Sequence, residues 1–221
     1  MSITEESKSR MNVLVLVRWG MPKVTEEHKA AMRLRIQQAA FACVARKGFS
    51  SVSMADIIAE AGLSAGAVYL YYKNKEALVV DVGRAVLDIK LAVIGSSSQQ
   101  TPVPPPSQLI PALFRELLSS GSYPNMAVQV WGEAIHNETL KSLASSIFTE
   151  LGDYLVNYYR HYLSSERGLD SDTADARARS IVPATIGMIQ GMPLSVALQV
   201  RESVDHYISS VQDVLKLMEA R

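Results

Sequence analysis

Gly62-Leu63-Ser64-Ala65-Gly66 has the Gly-x-Ser-x-Gly spacing that presents a nucleophilic serine in hydrolases. That chemistry needs a strand entering the turn and a helix leaving it. Here helical periodicity stands on both sides, and no later stretch offers a buried parallel sheet, so the context excludes the hydrolase. The four histidines, His28, His136, His161 and His206, show no metal-ligand spacing. His136, near Trp131, is a candidate cavity residue, but a surface or satisfied core histidine explains it more simply. Cys43 is the single cysteine, so no intramolecular disulfide and no cysteine-rich zinc site can form. It sits on an apolar helical stripe, where a small core residue is the simplest reading. Asn137-Glu138-Thr139 has the spacing of a glycosylation acceptor, which means nothing without a secretion signal. No carboxylate or histidine cluster suits acid–base work. These residues point away from an enzyme, and no metal or cofactor is expected.

The elements that would position side chains are all helical. Ile36, Ala39, Ala40, Cys43 and Val44 recur at i, i+3, i+4, i+7 and i+8, which predicts a helix over 26–47 with Thr25 as its N-cap. Gly48 supplies the left-handed cap, and Phe49 and Val52 anchor the loop behind it. Ser53 caps a helix over 54–60, Ala61-Gly62-Leu63 turns the chain, and Ser64 caps a short helix through Tyr69. Asn74 opens a longer helix with Leu78, Val79 and Val82 on its apolar side. Two short helices joined by a glycine turn form a helix-turn-helix. The second is too short to be stable alone, so it must pack on its neighbours and offer one face outward, a geometry that suits the major groove. Residues 95–107, rich in Ser, Gln and Pro, read as a loop or linker. Helices are expected after it at about 108–120, 124–135, 138–163, 172–198 and 202–219.

Length and charge narrow the class. The chain has 221 residues, 48% of them hydrophobic and 20% charged, which describes a soluble globular protein with a sizeable core. Basic and acidic residues number 22 each, yet residues 21–90 hold ten basic against seven acidic and residues 91–221 nine against thirteen. A basic front and an acidic back suggest two jobs, with the front nearer a polyanion. The run Val13–Val17 is too short for a membrane span or a signal peptide. Residues 1–22 are expected to be a flexible arm or a non-native extension, with folding information beginning near Met21.

The block from Ala39 to Leu78 resembles the N-terminal domain of the TetR/AcrR family of bacterial transcriptional regulators. The matching residues are Ala39-Ala40, Lys47-Gly48-Phe49, Ser53-Met54, Asp56-Ile57, Ala61-Gly62-Leu63-Ser64, Gly66, Tyr69, Tyr71-Tyr72 and Lys75-Glu76-Ala77-Leu78. The resemblance implies an all-α protein with a three-helix DNA-binding domain over 23–73 and a helical effector-binding and dimerisation domain over 74–221. It implies a cytoplasmic homodimer, with no membrane partner, that binds a palindromic double-stranded DNA operator and is released by a small-molecule effector. The expected DNA contacts are Ser53, Ser64, Ala65, Gly66, Ala67, Tyr69, Leu70, Tyr71 and Lys75, with Tyr72 in the core. Two departures stand out: Ala55 and Ala65 occupy positions where many members have long polar side chains. From Ser64 to Tyr72 there is no Arg, Lys, Asn or Gln. Base selection must then lean on thymine-methyl contacts and DNA shape.

The second half has no comparable motif. Gly187 and Gly191, with Ile208, Val211 and Leu215 on an amphipathic stripe, resemble the family's last two helices and are the expected dimer interface. Met126, Trp131, Phe148, Tyr154, Tyr158 and Tyr162 are the candidate pocket residues, with Glu133 or a tyrosine hydroxyl to orient a polar group. Effector, operator, and repressor against activator are not legible. Two other readings remain: a DNA-binding protein without a ligand, and an all-α ligand-binding or interaction protein that has lost specific DNA binding.

Overall fold

The computed structural model describes residues 25–119, 123–199 and 204–220, and among them there is no strand. The arm or extension expected over 1–22 lies outside the described residues. The described chain divides at Arg35–Ile36, and the packing below is that of the unit that begins at Ile36.

Helix α1 spans Glu26–Lys47, with Glu26 and Glu27 in its first turn and Arg46 and Lys47 in its last, each sign complementing the helix dipole. Thr25 caps it as expected, its hydroxyl accepting the His28 N–H at 3.2 Å. Helix α2 (Met54–Ala61) opens on Ser53 in a capping box with Asp56, and ends on Gly62 at φ 61°, a conformation open to a residue without Cβ. The Gly62 N–H returns to the Ala59 carbonyl at 3.2 Å, which closes the turn. Helix α3 is short (Ala65–Tyr69), capped by Ser64, and α4 (Lys75–Ser98) is capped by Asn74.

The expected linker begins later than its composition suggests. Helix α4 runs through Gly95 to Ser98 because Ile94 is fully buried and the Ser96 and Ser98 hydroxyls donate back to the carbonyls of Val93 and Ile94. The proline segment after it is fixed: Val103 is buried, its N–H donates to Glu166 at 3.0 Å, and the Pro104 carbonyl accepts the Tyr158 hydroxyl at 2.6 Å. Proline cannot donate, so this stretch is held by its carbonyls and by side chains from α7 and its C-cap.

Helices α5 (Pro106–Leu118), α6 (Tyr123–Ala134), α7 (Glu138–Ser165), α8 (Ser171–Ala197) and α9 (Val204–Glu219) complete the described chain. Helices α7 and α8 make the broadest contact, α4 lies on α7, α5 on α9 and α6 on α8. One core, centred on Ile110, Phe114, Leu155 and Tyr158, fills this bundle. A second joins α1, α2 and α3 through Ile36, Val44, Ile57 and Val68, and continues into Leu78 and Val82 of α4, Ala134 of α6 and Leu140 of α7. Helix α8 is long and apolar enough by length and composition to cross a membrane. Its Thr185 is fully buried with its hydroxyl 3.0 Å from that of Tyr159, as in the core helix of a bundle.

Candidate DNA-binding head and apolar cavity

The head is built from the cysteine stripe outward. Cys43 is 1% exposed, and burial pushes its thiol pKa up, so the group is a packing residue. Around it two ion pairs tie α1 to α2: Arg46 to Glu60 and Lys47 to Asp56, both at 2.5 Å. The Lys47 ammonium, joined by the Ser53 N–H and hydroxyl, holds the Asp56 carboxyl far below the usual carboxylate range. Val68 is fully buried, and this anchors α3 by one side. Tyr72 is buried, as expected, and its hydroxyl donates to Asp81 of α4, which also accepts from Gln37 of α1 at 3.0 Å. Among the described residues, the short helix is thus held by its inner face.

Its outer face is open. Leu70 is 85% exposed and Tyr69 51%, beside exposed Ala65 and Gly66, while Ala67 is half-buried. Among the described residues, no atom beyond its chain neighbours and own helix lies within 4 Å of where a Cβ on Gly66 would stand, so another surface can approach the backbone there. Ser64 is exposed, and its oxygen accepts the Ala67 N–H at 3.2 Å, which leaves the hydroxyl proton to donate. Tyr71 is half-buried against the head core.

Two of the expected DNA contacts, Ser53 and Lys75, are engaged inside the chain. The Ser53 hydroxyl donates to Asp56 at 2.8 Å and accepts the Asp56 N–H at 3.2 Å. An anion arriving there meets a carboxylate. The Lys75 ammonium donates to the Phe49 carbonyl at 2.8 Å and lies 4.4 Å from the Phe49 ring centroid. Lys75 therefore clamps the loop between α1 and α2 onto the start of α4. Phe49 is gripped at a second point, since its N–H donates to Gln129 of α6 at 2.6 Å, and Ser50 donates to Glu133 at 2.9 Å. Nothing in the sequence pattern marked Gln129, whose partner stands 80 positions away.

An apolar cavity of about 100 Å³ lies behind Phe49. Met126, Trp131 and Phe148 line it together with Phe41, Phe49 and Val82. The Trp131 and Phe148 rings meet at 6.0 Å in a tilted pair. The other three pocket candidates lie elsewhere. Tyr154 is 44% exposed on α7, and Tyr158 is fully buried with its hydroxyl held by Pro104. Tyr162 stacks on Tyr158 beside the proline segment. Tyrosines at every fourth or so position of α7 follow its inner face, which changes neighbours along a helix of 28 residues. Glu133 is drawn to Ser50 and His136 is exposed, so neither lines the cavity.

The expected dimer residues divide in the same way. Ile208, Val211 and Leu215 are 4%, 7% and 1% exposed and belong to the intrachain core under α5, so they are not available to a partner. Gly191 admits the Tyr207 hydroxyl to 2.6 Å from where a Cβ would stand, an approach of α9 to α8 within the chain. Among the described residues, nothing outside its own helix lies within 4 Å of where a Cβ on Gly187 would stand. The outward apolar residues of these helices are Leu194 and Leu198 on one side and Val214, Leu217 and Met218 on the other.

Comparison with known proteins agrees with this architecture. Residues 36–82 match the family model of the bacterial regulatory proteins, tetR family. The HTH-type transcriptional regulator YfiR of Bacillus subtilis is 37% identical over 82 residues, which is 37% of this chain and 40% of that protein. The chain thus aligns with well under half the length of that relative. Among solved structures, Salmonella enterica GusR superposes with a TM-score of 0.66 at 19% identity, covering 87% of this chain and 96% of that one. FadR of Bacillus subtilis, solved in complex with stearoyl-CoA, also reaches 0.66, at 17% identity over 83% and 96% of the two chains. At such identities the structures speak for the fold, and the local match speaks for the head. Residues 36–82 thus match the helix-turn-helix of the bacterial regulatory proteins, tetR family, and they sit in an all-helical fold like that of GusR.

Proposed function

We propose that the chain is a sequence-specific transcriptional regulator that grips a palindromic operator as a homodimer and is released from it by a small-molecule effector. The observation that carries this reading is the outer face of α3, where Tyr69 and Leu70 stand exposed on a helix whose opposite side is locked into the head core. A monomeric chain has little reason to keep those two side chains in water. A helix held by one side fits the major groove, and Ala65, Gly66 and Leu70 allow close approach to thymine methyl groups. Ser64, Tyr69 and Tyr71 are the residues proposed to meet DNA. Lys75 acts through its clamp on Phe49, and Ser53 through its cap.

One such helix covers few base pairs, so two copies are required for a site unique in a genome. The exposed faces of α8 and α9, with Gly187, Leu194, Val214 and Leu217, are proposed as the two-fold interface. The bound stearoyl-CoA of FadR supports a ligand-responsive second half. A regulator of genomic DNA acts in the cytoplasm. The test is selection of genomic DNA fragments by the purified protein at about 0.15 M salt, where non-specific binding is already weakened. Recovery of one or a few palindromic sites supports the proposal. Recovery of no sequence above background favours an effector-binding protein without DNA specificity.

A further inference from the structure

The wall of the apolar cavity is shared between the DNA-binding head and the helical bundle. Phe41 and Phe49 face it from the head, and Val130, Trp131, Leu143 and Phe148 from α6 and α7. Among the described residues no Lys, Arg, Asp, Glu or His side chain lines it, and Tyr123, Trp131 and Gln190 are the members with a polar group. An ion entering such a space loses its hydration and finds no counter-charge. An apolar molecule gains from leaving water and meets ring faces and methyl groups on every side. At about 100 Å³ the cavity is somewhat smaller than one known to admit benzene, about 150 Å³, so a ring enters when one wall yields slightly.

We infer that this cavity is the effector site and that it takes an uncharged apolar molecule, from one aromatic ring upward, in direct contact with the head through Phe49. This rests on the ligand-responsive reading above and names the ligand class for it. The ligand presses on a residue whose N–H is held by α6 and whose carbonyl is held by the first residue of α4. Occupancy is therefore felt by the head without passage through a distant element.

Trp131 reports occupancy from the cavity wall. The other tryptophan, Trp19, is removed by a Trp19→Phe change. Emission is followed while adding toluene, benzoate or benzylammonium, which share one ring and differ in charge. Toluene is expected to give a saturable change, with both ions at least about tenfold weaker. Ala144→Phe, which fills the cavity from α7, is expected to lose the toluene response and keep the far-ultraviolet helix signal. Ions that bind as tightly as toluene would overturn the inference, and so would a toluene response that survives Ala144→Phe. Absence of any saturable response up to toluene's solubility would overturn it as well. None of these readouts needs DNA, so DNA selection can succeed while this inference fails, and the reverse.

Discussion

Ala65 is the smallest statement of how this head differs from one that reads bases with long polar side chains. It is exposed at the start of α3, so a longer side chain fits without repacking. Ala65→Arg is expected to move the preferred site towards guanine at one position of each half-site, since Arg pairs with guanine in the major groove. Repeating the fragment selection checks this, and an unchanged site would contradict base contact by that position. Cys43 gives a second residue-scale test. Its buried thiol is expected to resist aromatic disulfide reagents in the folded protein and to react at once in denaturant, as followed by absorbance. Asp56 gives a third. Its folded pKa lies below the unfolded one, so its stabilisation is present above the ordinary carboxylate range and lost as pH falls towards the folded value. The loss in thermal midpoint between about pH 5 and about pH 2 is expected to be smaller in Asp56→Asn than in the unchanged protein. At this scale the sequence was informative about spacing and silent about occupancy. Ser53 is expected both to cap its helix and to meet DNA, and the cap with Asp56 uses both functions of the hydroxyl.

The elements were legible because helical period and caps are local. Thr25, Ser53, Ser64 and Asn74 each cap the helix that the pattern assigns to them. What covers an apolar stripe is not local. Ile208, Val211 and Leu215 have the same period whether α5 or a second copy lies over them, and here it is α5. The proline segment misleads for a related reason, since its composition suggests freedom while Glu166 and Tyr158, far along the chain, pin it. The clamp on Phe49 is likewise invisible in sequence, and it carries an element-scale prediction. Gln129→Met leaves the Phe49 N–H without its acceptor and is expected to cost about 1–3 kcal/mol in denaturant unfolding. The same change is expected to leave toluene binding at Trp131 nearly intact and to reduce its effect on DNA affinity. An undiminished effect would place the coupling elsewhere.

At the scale of the whole molecule the account rests on two heads acting together. The outward side chains of α8 and α9 set the test of assembly. Leu217 is 71% exposed, so Leu217→Glu is expected to leave the fold intact and shift the protein from dimer to monomer in sedimentation. A dimer unaffected by that change would move the interface to another face. The central claim, that the open face of α3 lies in successive major grooves, is tested most directly by footprinting the selected DNA. The protein is compared with a Tyr69→Ala/Leu70→Ala variant, both changes lying on exposed side chains outside the core. Two protected major-groove patches are predicted, on one face of the duplex and separated by about 34 Å or a multiple of it. Both should vanish in the variant while its helix content is unchanged. A footprint that persists in the variant would contradict the claim, as would a single continuous patch without two-fold symmetry.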